Sequence, residues 1–353
     1  MTPELSTIVV THRSAGEAAH CIASLRRAFR EEGIAAEILL VDCGSGPEEA
    51  EWLLEIPADR HLLLEENRGY SGGLNAGLAA ARADTLLLSN ADVVFSPGAV
   101  TLLLRALGGK RAGAAAPLSV WDAEGRVKLP PGFAPGFLQD LAQLAAGRFR
   151  VLDDWRFARF ARETRRLWEE GGRARHLSGA VLAARRDVFD AAGRFDERFP
   201  FEYEETEWED RVRSEGLDLL FVPQARVRHL WAVSASRSPE TRSRRLASEG
   251  LYRRRRYGRA GQALLERAAR LAAPEPEGES VAGDPPRFAA RAGAAVALSP
   301  NRSGLPFAAA DLAEGFHLPE EIRSGLPPGT WHFTVFRKDD GRPMERFFWE
   351  KPS

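Results

Sequence analysis

Cysteine is nearly absent. Cys21 and Cys43 are the only two in 353 residues, and neither belongs to a CxxC pair or a Cys/His cluster. That argues against a disulfide framework and a structural zinc site, and it fits a reducing compartment. Lysine is scarce as well. Lys110, Lys128, Lys338 and Lys351 are the only four among 49 basic residues, a bias of the kind genomic composition produces. With 50 acidic residues against those 49, the net charge is −1, which argues against binding nucleic acid by bulk charge. Long apolar runs are missing: none reaches the ~18–20 residues of a membrane span, and the first residues lack a signal peptide's basic-then-apolar layout. The expected location is the cytoplasm.

What is present is globular composition, 44% hydrophobic and 28% charged, in a chain long enough for one large domain and a smaller one. In the first third, short apolar runs alternate with amphipathic segments. Ser6–Thr11, Glu37–Asp42, His61–Glu65 and Thr85–Ser89 read as buried parallel strands, with helices over Gly16–Arg30, Pro47–Leu54 and Gly72–Ala81. This rhythm predicts a doubly wound α/β sheet whose ligands sit at the carboxyl ends of its strands. Asp42, Asn67 and Asp92 fall at or just after such ends. From Pro130 to Gly172 the pattern loosens, as in an acceptor-covering insertion or a plain surface excursion. A strand is expected over His176–Ala184, then a helix, a turn at Gly193, a helix over Tyr203–Glu215, and short strands at Leu219–Val222 and Arg226–His229.

These patterns divide the chain into an α/β domain (1–238), an arginine-rich helical extension (239–273), a Pro/Gly-rich acidic linker (274–286) and a small β-rich C-terminal domain (287–353). Two stretches of the first domain suit ligand chemistry. Asn90-Ala91-Asp92 ends the fourth strand, where a carboxylate is a natural oxygen ligand for a hard divalent cation; an Asx turn gives the same tripeptide. ENRGYSGGLNAGL (Glu66–Leu78) brings Gly69, Gly72 and Gly73 before a helix, together with Asn67, Arg68 and Asn75. It serves either a phosphate-binding turn or a tight strand–helix connection. It is neither the P-loop nor the dinucleotide fingerprint.

Read in order, VDCGSG, ENRGYSGGLNAGL, LLLSNADV and HLSGAVLAARRDVFDAAGRFDERFPFEYEETEWEDRVRSEG resemble the family-2 glycosyltransferases of GT-A fold, in particular the bacterial rhamnosyltransferase-like branch. The resemblance runs from about Leu5 to about Ala260. It implies inverting transfer of a sugar, with rhamnose or another deoxysugar favoured, from a dTDP-, UDP- or GDP-linked donor to a saccharide or lipid-linked hydroxyl. The setting it implies is bacterial polysaccharide or glycoconjugate synthesis, and the cofactor a divalent cation, Mg²⁺ or Mn²⁺. Carried onto this chain, Asp42 would bind the base, with Thr11 and Glu17 nearby. Asn67, Arg68, Gly69, Asn75, Asn90, Asp92, Ser178 and Gly179 would line the donor, and Asp92 and His229 would approach the metal.

The resemblance usually places a Glu-Asp pair before the helix that ends this run, with the Asp as general base. Alignment on Gly193–Glu197 and Arg211 puts Glu204-Glu205 there, so Glu205 is the implied base, one methylene longer than expected. Glu209-Asp210 is a rival pair. Asp196 and Arg211 are expected to buttress the region by pairing, and the other acids to form a solvated face. A different reading is a degenerate transferase that binds nucleotide sugars or acts as a scaffold. A nucleotidyltransferase is disfavoured, since THRSAGE supplies only Arg13 and Gly16 near the first strand. Eight arginines between Arg242 and Arg259, against the single acid Glu249, suit either peripheral contact with an anionic membrane or pairing with the protein's own acids. A homodimer is compatible with the C-terminal domain.

Overall fold

The computed structural model describes residues 3–133, 136–146, 149–230, 239–270, 279–281 and 283–352. In chain order the elements begin β1 (Leu5–Thr11), α1 (Ala15–Glu32), β2 (Ala36–Cys43), α2 (Pro47–Glu55), β3 (Arg60–Leu64), α3 (Gly69–Ala80), β4 (Thr85–Asn90), β5 (Val93–Phe95), α4 (Ala99–Ala106) and β6 (Ala112–Val120). They continue with α5 (Phe137–Ala146), α6 (Arg150–Glu170), β7 (Gly172–Ala174), β8 (Val181–Arg185), α7 (Arg186–Ala192), α8 (Glu204–Ser214), β9 (Asp218–His229) and α9 (Pro239–Ala269). The last are β10 (Glu279–Val281), β11 (Ala294–Ser299), β12 (Ala308–Asp311), α10 (Glu320–Gly325), β13 (Gly329–Arg337) and β14 (Pro343–Lys351).

The chain forms two compact units, one of residues 1–119 and 170–252, the other of 120–169 and 253–353. The first holds a nine-stranded sheet in the order β3-β2-β1-β4-β8-β6-β9-β5, with β7 also paired to β9. The expected strands β1 to β4 run parallel. β8 adds antiparallel to β4 and turns the sheet's second half antiparallel. Alternation in β1 serves both faces. Leu5 and Val9 join a core with Ile22 and Leu25 of α1 and Val100 and Leu103 of α4. Ile8 and Val10 point the other way, onto α3.

That second contact explains the glycines of ENRGYSGGLNAGL, and it corrects the expectation that they precede the helix. α3 begins at Gly69, so Gly72 and Gly73 lie inside it. A Cβ on Gly73 would stand 2.6 Å from Cys43 Sγ and 2.7 Å from Val10 Cγ1, and one on Gly77 2.3 Å from Ile8 Cγ2. The glycines let the helix lie directly on β1 and β2. Only Gly69, at φ +71°, takes a conformation that itself favours glycine.

Other differences have local causes. The strand expected from His176 begins only at Val181, because His176 Nδ1 and the Leu177 N–H are held by the buried Glu209 carboxylate at 3.1 and 3.0 Å. The two strands expected around Pro223 are the single strand β9. The proline falls between the stretch paired with β7 and the stretch paired with β5, where no ladder partner on that side needs its missing N–H.

The second unit cuts across the expected boundaries. The Pro130–Gly172 excursion contributes α5 and α6 to the same unit as the C-terminal strands, and the division falls within α9, between Tyr252 and Arg253. Its sheet runs β10-β14-β13-β11-β12, the small β-rich domain expected from the sequence. β10 arises inside the expected linker, while Pro274–Gly278 lie outside the described residues. α6 packs through Phe157, which stacks on Phe307 at 5.2 Å and meets Phe336 edge-on at 5.5 Å.

Candidate active site

Register brings the strand ends together. Thr11 is opposite Asp42 across β1 and β2, and Val10 is opposite Asn90 across β1 and β4. Thr11, Asp42 and Asn90 therefore share the carboxyl edge of the parallel half-sheet, where α/β folds bind ligands. Asp42 is buried; its carboxylate accepts the Ser45 N–H at 3.0 Å and the Ser45 hydroxyl. Thr11 Oγ1 lies 3.0 Å from Ser14 Oγ. Glu17, half-buried in the first turn of α1, makes no hydrogen bond or ion pair among the described residues.

The glycine-rich segment supplies the next wall. Asn67 Oδ1 accepts the Gly69 N–H at 2.9 Å, and its amide nitrogen is 3.3 Å from His12 Nε2. Arg68 is tied to Glu197 at 2.7 Å. Asn75 is committed elsewhere: its amide donates to the Phe195 carbonyl and to Glu197 and accepts the Phe195 N–H. With these bonds Asn75 pins the Gly193–Glu197 turn to α3.

Asp92 and His229 converge through the β5–β9 ladder, in which Val93 is opposite His229. His229 Nε2 lies 3.3 Å from Asp92 Oδ1, and both residues are buried. Among the described residues no group of three or more His, Cys, Asp or Glu side chains is gathered for a metal. The Asp92 carboxylate is the kind of single protein oxygen donor that a magnesium-like ion takes, with waters and substrate phosphate oxygens completing its shell, and His229 stands beside it. The two thiols are inert beside this. Burial pushes Cys21 up to about 12 and Cys43 up to about 11.

The Ser178–Ala180 loop joins these parts. The Asn90 N–H donates to the Ala180 carbonyl at 2.9 Å, and the Tyr70 hydroxyl donates to the Gly179 carbonyl at 3.2 Å. The Ala180 N–H donates to Ser178 Oγ at 3.4 Å. Glu205 lies against Gly179 from the other side: a Cβ there would stand 2.9 Å from Glu205 Cγ and 3.1 Å from its Oε1.

Glu204 and Glu205 open α8 after two consecutive left-handed residues, Glu202 at φ +60° and Tyr203 at φ +70°. Such backbone costs of order ~1–3 kcal/mol per residue and concentrates at functional sites. Burial pushes the Glu205 carboxyl up to about 7, and the charge of Glu202 adds to the rise; the backbone N–H groups of Glu205, Thr206 and Gly179 pull it down. Glu204 is raised well above the usual carboxylate range, first by burial and then by Glu205, and its Oε2 has no hydrogen-bond partner. The half-buried Tyr70 is raised by burial and by the nearby charges of Glu204, Glu205 and Asp92.

The rival pair is occupied. Glu209 is fully buried and holds His176 and the Leu177 N–H; Asp210 pairs with Arg213 and accepts the Tyr252 hydroxyl at 2.9 Å. The solvated helical face expected for these acids is likewise not found, since Glu204, Glu207 and Glu209 are buried. Glu207 takes Arg211 in a bidentate pair, while Asp196 pairs with Arg198, so the two expected buttresses work with separate partners. Tyr70, Ser45 and Glu49, which caps α1 through the Ala15 N–H at 2.7 Å, escaped the sequence reading. Tyr70 stood inside a motif already singled out.

Known proteins resemble this chain in sequence and in fold. The family model for glycosyl transferase family 2 matches residues 6–135. The chain is 30% identical over 253 residues to the N-acetylglucosaminyl-diphospho-decaprenol L-rhamnosyltransferase of two strains of Mycobacterium tuberculosis, a match covering 68% of this chain and 80% of the relative. Among solved structures it is similar to GalNAc-T7 with UDP, GalNAc and Mn²⁺, at 17% identity and TM-score 0.49 over 73% of this chain and 51% of that one. It is also similar to the mannosyltransferase PcManGT from Pyrobaculum calidifontis with GDP-Man and Mn²⁺, at 15% identity and TM-score 0.44 over 78% and 77% of the two chains.

Proposed function

The chain belongs to glycosyl transferase family 2 and is a glycosyltransferase, and we propose that it transfers a deoxyhexose such as rhamnose, with inversion, to a hydroxyl of a lipid-diphosphate-linked saccharide. The donor is a nucleoside diphosphate sugar, dTDP-linked on this reading. The mycobacterial relatives, named for transfer of L-rhamnose to N-acetylglucosaminyl-diphospho-decaprenol, support this choice of sugar and acceptor and a place in cell-wall synthesis.

The observation that carries the mechanism is Glu205, whose carboxyl titrates at about 7 at the mouth of α8, against the loop that also contacts Asn90. A base of that strength is half ionised near neutral pH and can take a proton from an alcohol as its oxygen attacks. The acceptor oxygen bonds to the anomeric carbon from the face opposite the diphosphate. The bond from that carbon to the diphosphate oxygen breaks, the pair of electrons leaves with the nucleoside diphosphate, and the proton resides on Glu205. Thr11 and Asp42 hold the base end of the donor; Asn90 and the Ser178–Ala180 loop orient the sugar. A divalent cation held by Asp92 and His229 would offset charge on the leaving diphosphate.

Glu205→Gln tests the reading. Transfer from dTDP-rhamnose to a lipid-linked N-acetylglucosamine acceptor should fall by at least ~10²-fold, within the usual contribution of a general base, while donor binding by thermal shift stays intact. Normal turnover by the variant refutes the assignment.

A further inference from the structure

The C-terminal unit carries a surface that sugar transfer does not use. α6 is held by its inner face, where Phe157, Ala158 and Ala161 are buried. Its outer face follows the four-residue spacing of one helical stripe: Val151, Trp155 and Arg159. Val151 is 79% exposed, Trp155 48%, and Phe149, just before the helix, 59%. The Arg159 guanidinium stands 5.7 Å from the centre of the Trp155 ring, so the stripe is continuous. Leu138, in the first turn of α5, is 78% exposed.

α5 in turn is fixed to the second half of α9. Phe137 meets Tyr257 edge-on at 5.3 Å, and Arg253 binds Asp140 at 3.0 Å. That half of α9 exposes Arg254 and Arg259. Arg159, Arg254 and Arg259 have no ion pair with a carboxylate among the described residues; Arg254 reaches only the Gln262 side-chain oxygen, at 3.1 Å.

Single exposed apolar residues are ordinary, but an exposed valine and indole on one helical stripe, with an exposed phenyl ring just before it, make a binding surface. Tryptophan suits the boundary between headgroups and acyl chains, and arginines beside it draw anionic headgroups while their stems lie on apolar surface. We propose that the Val151–Trp155–Arg159 stripe of α6, with Phe149 just before it, docks the protein peripherally on an anionic phospholipid bilayer, and that the exposed arginines of α9 in the same unit add to the attraction. Charge selects this occupant over a second copy, because a two-fold pairing through the stripe would set Arg159 against its own copy. No helix among the described residues is long and apolar enough to cross a membrane, so the contact is with one leaflet. The inference deepens the lipid-linked reading of the acceptor and rests on it for its purpose, but its experiment needs no catalysis.

The full chain is floated with vesicles of phosphatidylcholine alone and of phosphatidylcholine mixed with phosphatidylglycerol. It should rise only with the anionic vesicles, and less at high salt. Val151→Glu with Trp155→Glu, and separately Arg254→Glu with Arg259→Glu, should each cut the bound fraction on the order of tenfold. Both should keep the wild-type melting curve, since all four side chains are exposed. A wild type that stays down with both vesicles overturns the proposal, as do variants that float like it. It also falls if the stripe variant turns a dimer into a monomer and vesicles are ignored throughout, which marks a self-association face. Donor hydrolysis on the same preparations separates the two readings: vesicle binding without hydrolysis counts against the sugar-transfer reading alone, and hydrolysis without vesicle binding counts against this one alone.

Discussion

Replacing Gly179 by alanine tests the base assignment without touching the carboxylate. The φ of Gly179 lies outside the left-handed region, so alanine adds no backbone strain there. Its new methyl would stand 2.9 Å from Glu205 Cγ, 3.0 Å from Cδ and 3.1 Å from Oε1. Carbon atoms in contact prefer ~3.5–4.0 Å, so the Glu205 side chain must retreat by about 0.6–1 Å. A reacting group misplaced by ~1 Å loses on the order of 10²-fold in rate. The expected loss in kcat is therefore about 10–100-fold, or ~1.4–2.7 kcal/mol of transition-state stabilisation. Steady-state transfer at saturating donor measures it, while affinity for free nucleoside diphosphate and the melting temperature serve as controls and should stay near wild type. A kcat within twofold of wild type, with the fold intact, would refute the placement of Glu205 at the reacting oxygen.

The pH profile of kcat/KM should rise with a midpoint near 7, as Glu205 sheds its proton; an ordinary glutamate would place that limb near ~4.3. Because the folded state holds this proton more tightly than a free glutamate does, Glu205's contribution to stability is present below 4.5 and is lost as pH rises through about 7, which pH-dependent denaturation can follow. Glu204→Gln should leave the limb in place, since the rise of Glu205 comes from burial and from Glu202; a limb that drops would mean that Glu204 raises it as well. Asp92→Asn and His229→Ala should each raise the Mn²⁺ concentration needed for donor hydrolysis by about an order of magnitude or more, and metal titrations unchanged in both would remove them as ligands. Gly77→Ala, whose Cβ would meet Ile8 Cγ2 at 2.3 Å, should cost ~1–3 kcal/mol in urea unfolding by overpacking.

The part of the fold legible in the sequence is the part whose information is local. β1 to β4 show as apolar runs because both faces of the parallel sheet are covered, and the carboxyl edge they form carries Asp42, one of the residues read at a strand end, opposite Thr11. β6 did not show. AGAAAPLSV has few of the β-branched residues that mark strands, and at Gly113 a Cβ would lie 2.4 Å from Val212 of α8, a contact almost 100 residues away. The same limit hid the division into units, since only long-range packing joins residues 120–169 to the C-terminal strands. At the site, residue types were readable but commitments were not. Glu209, in the rival pair, is committed through its oxygens to His176 and Leu177, and the Asn75 amide to the Phe195 backbone, and neither commitment is written in the local sequence.

The glutamate at the base position is best understood together with the glycine beside it. The resemblance leads one to expect an aspartate, and a side chain one methylene longer needs somewhere to go. Here the Cγ and Cδ of Glu205 lie over Gly179, in space that any Cβ at 179 would contest. The Gly179 carbonyl is meanwhile fixed by the Tyr70 hydroxyl, and its N–H lowers the Glu205 carboxyl against the rise that burial imposes. Length and room are thus set by one contact between Gly179 and Glu205, while the proton affinity is governed by burial, which the Gly179 N–H only tempers. It follows that Glu205→Asp, the substitution closest to the family pattern, should not restore a better enzyme. The shorter side chain withdraws from Gly179 and leaves a gap where the extra methylene stood. Its kcat for transfer at saturating donor should be lower than wild type, and a rate equal to or above wild type would refute the argument.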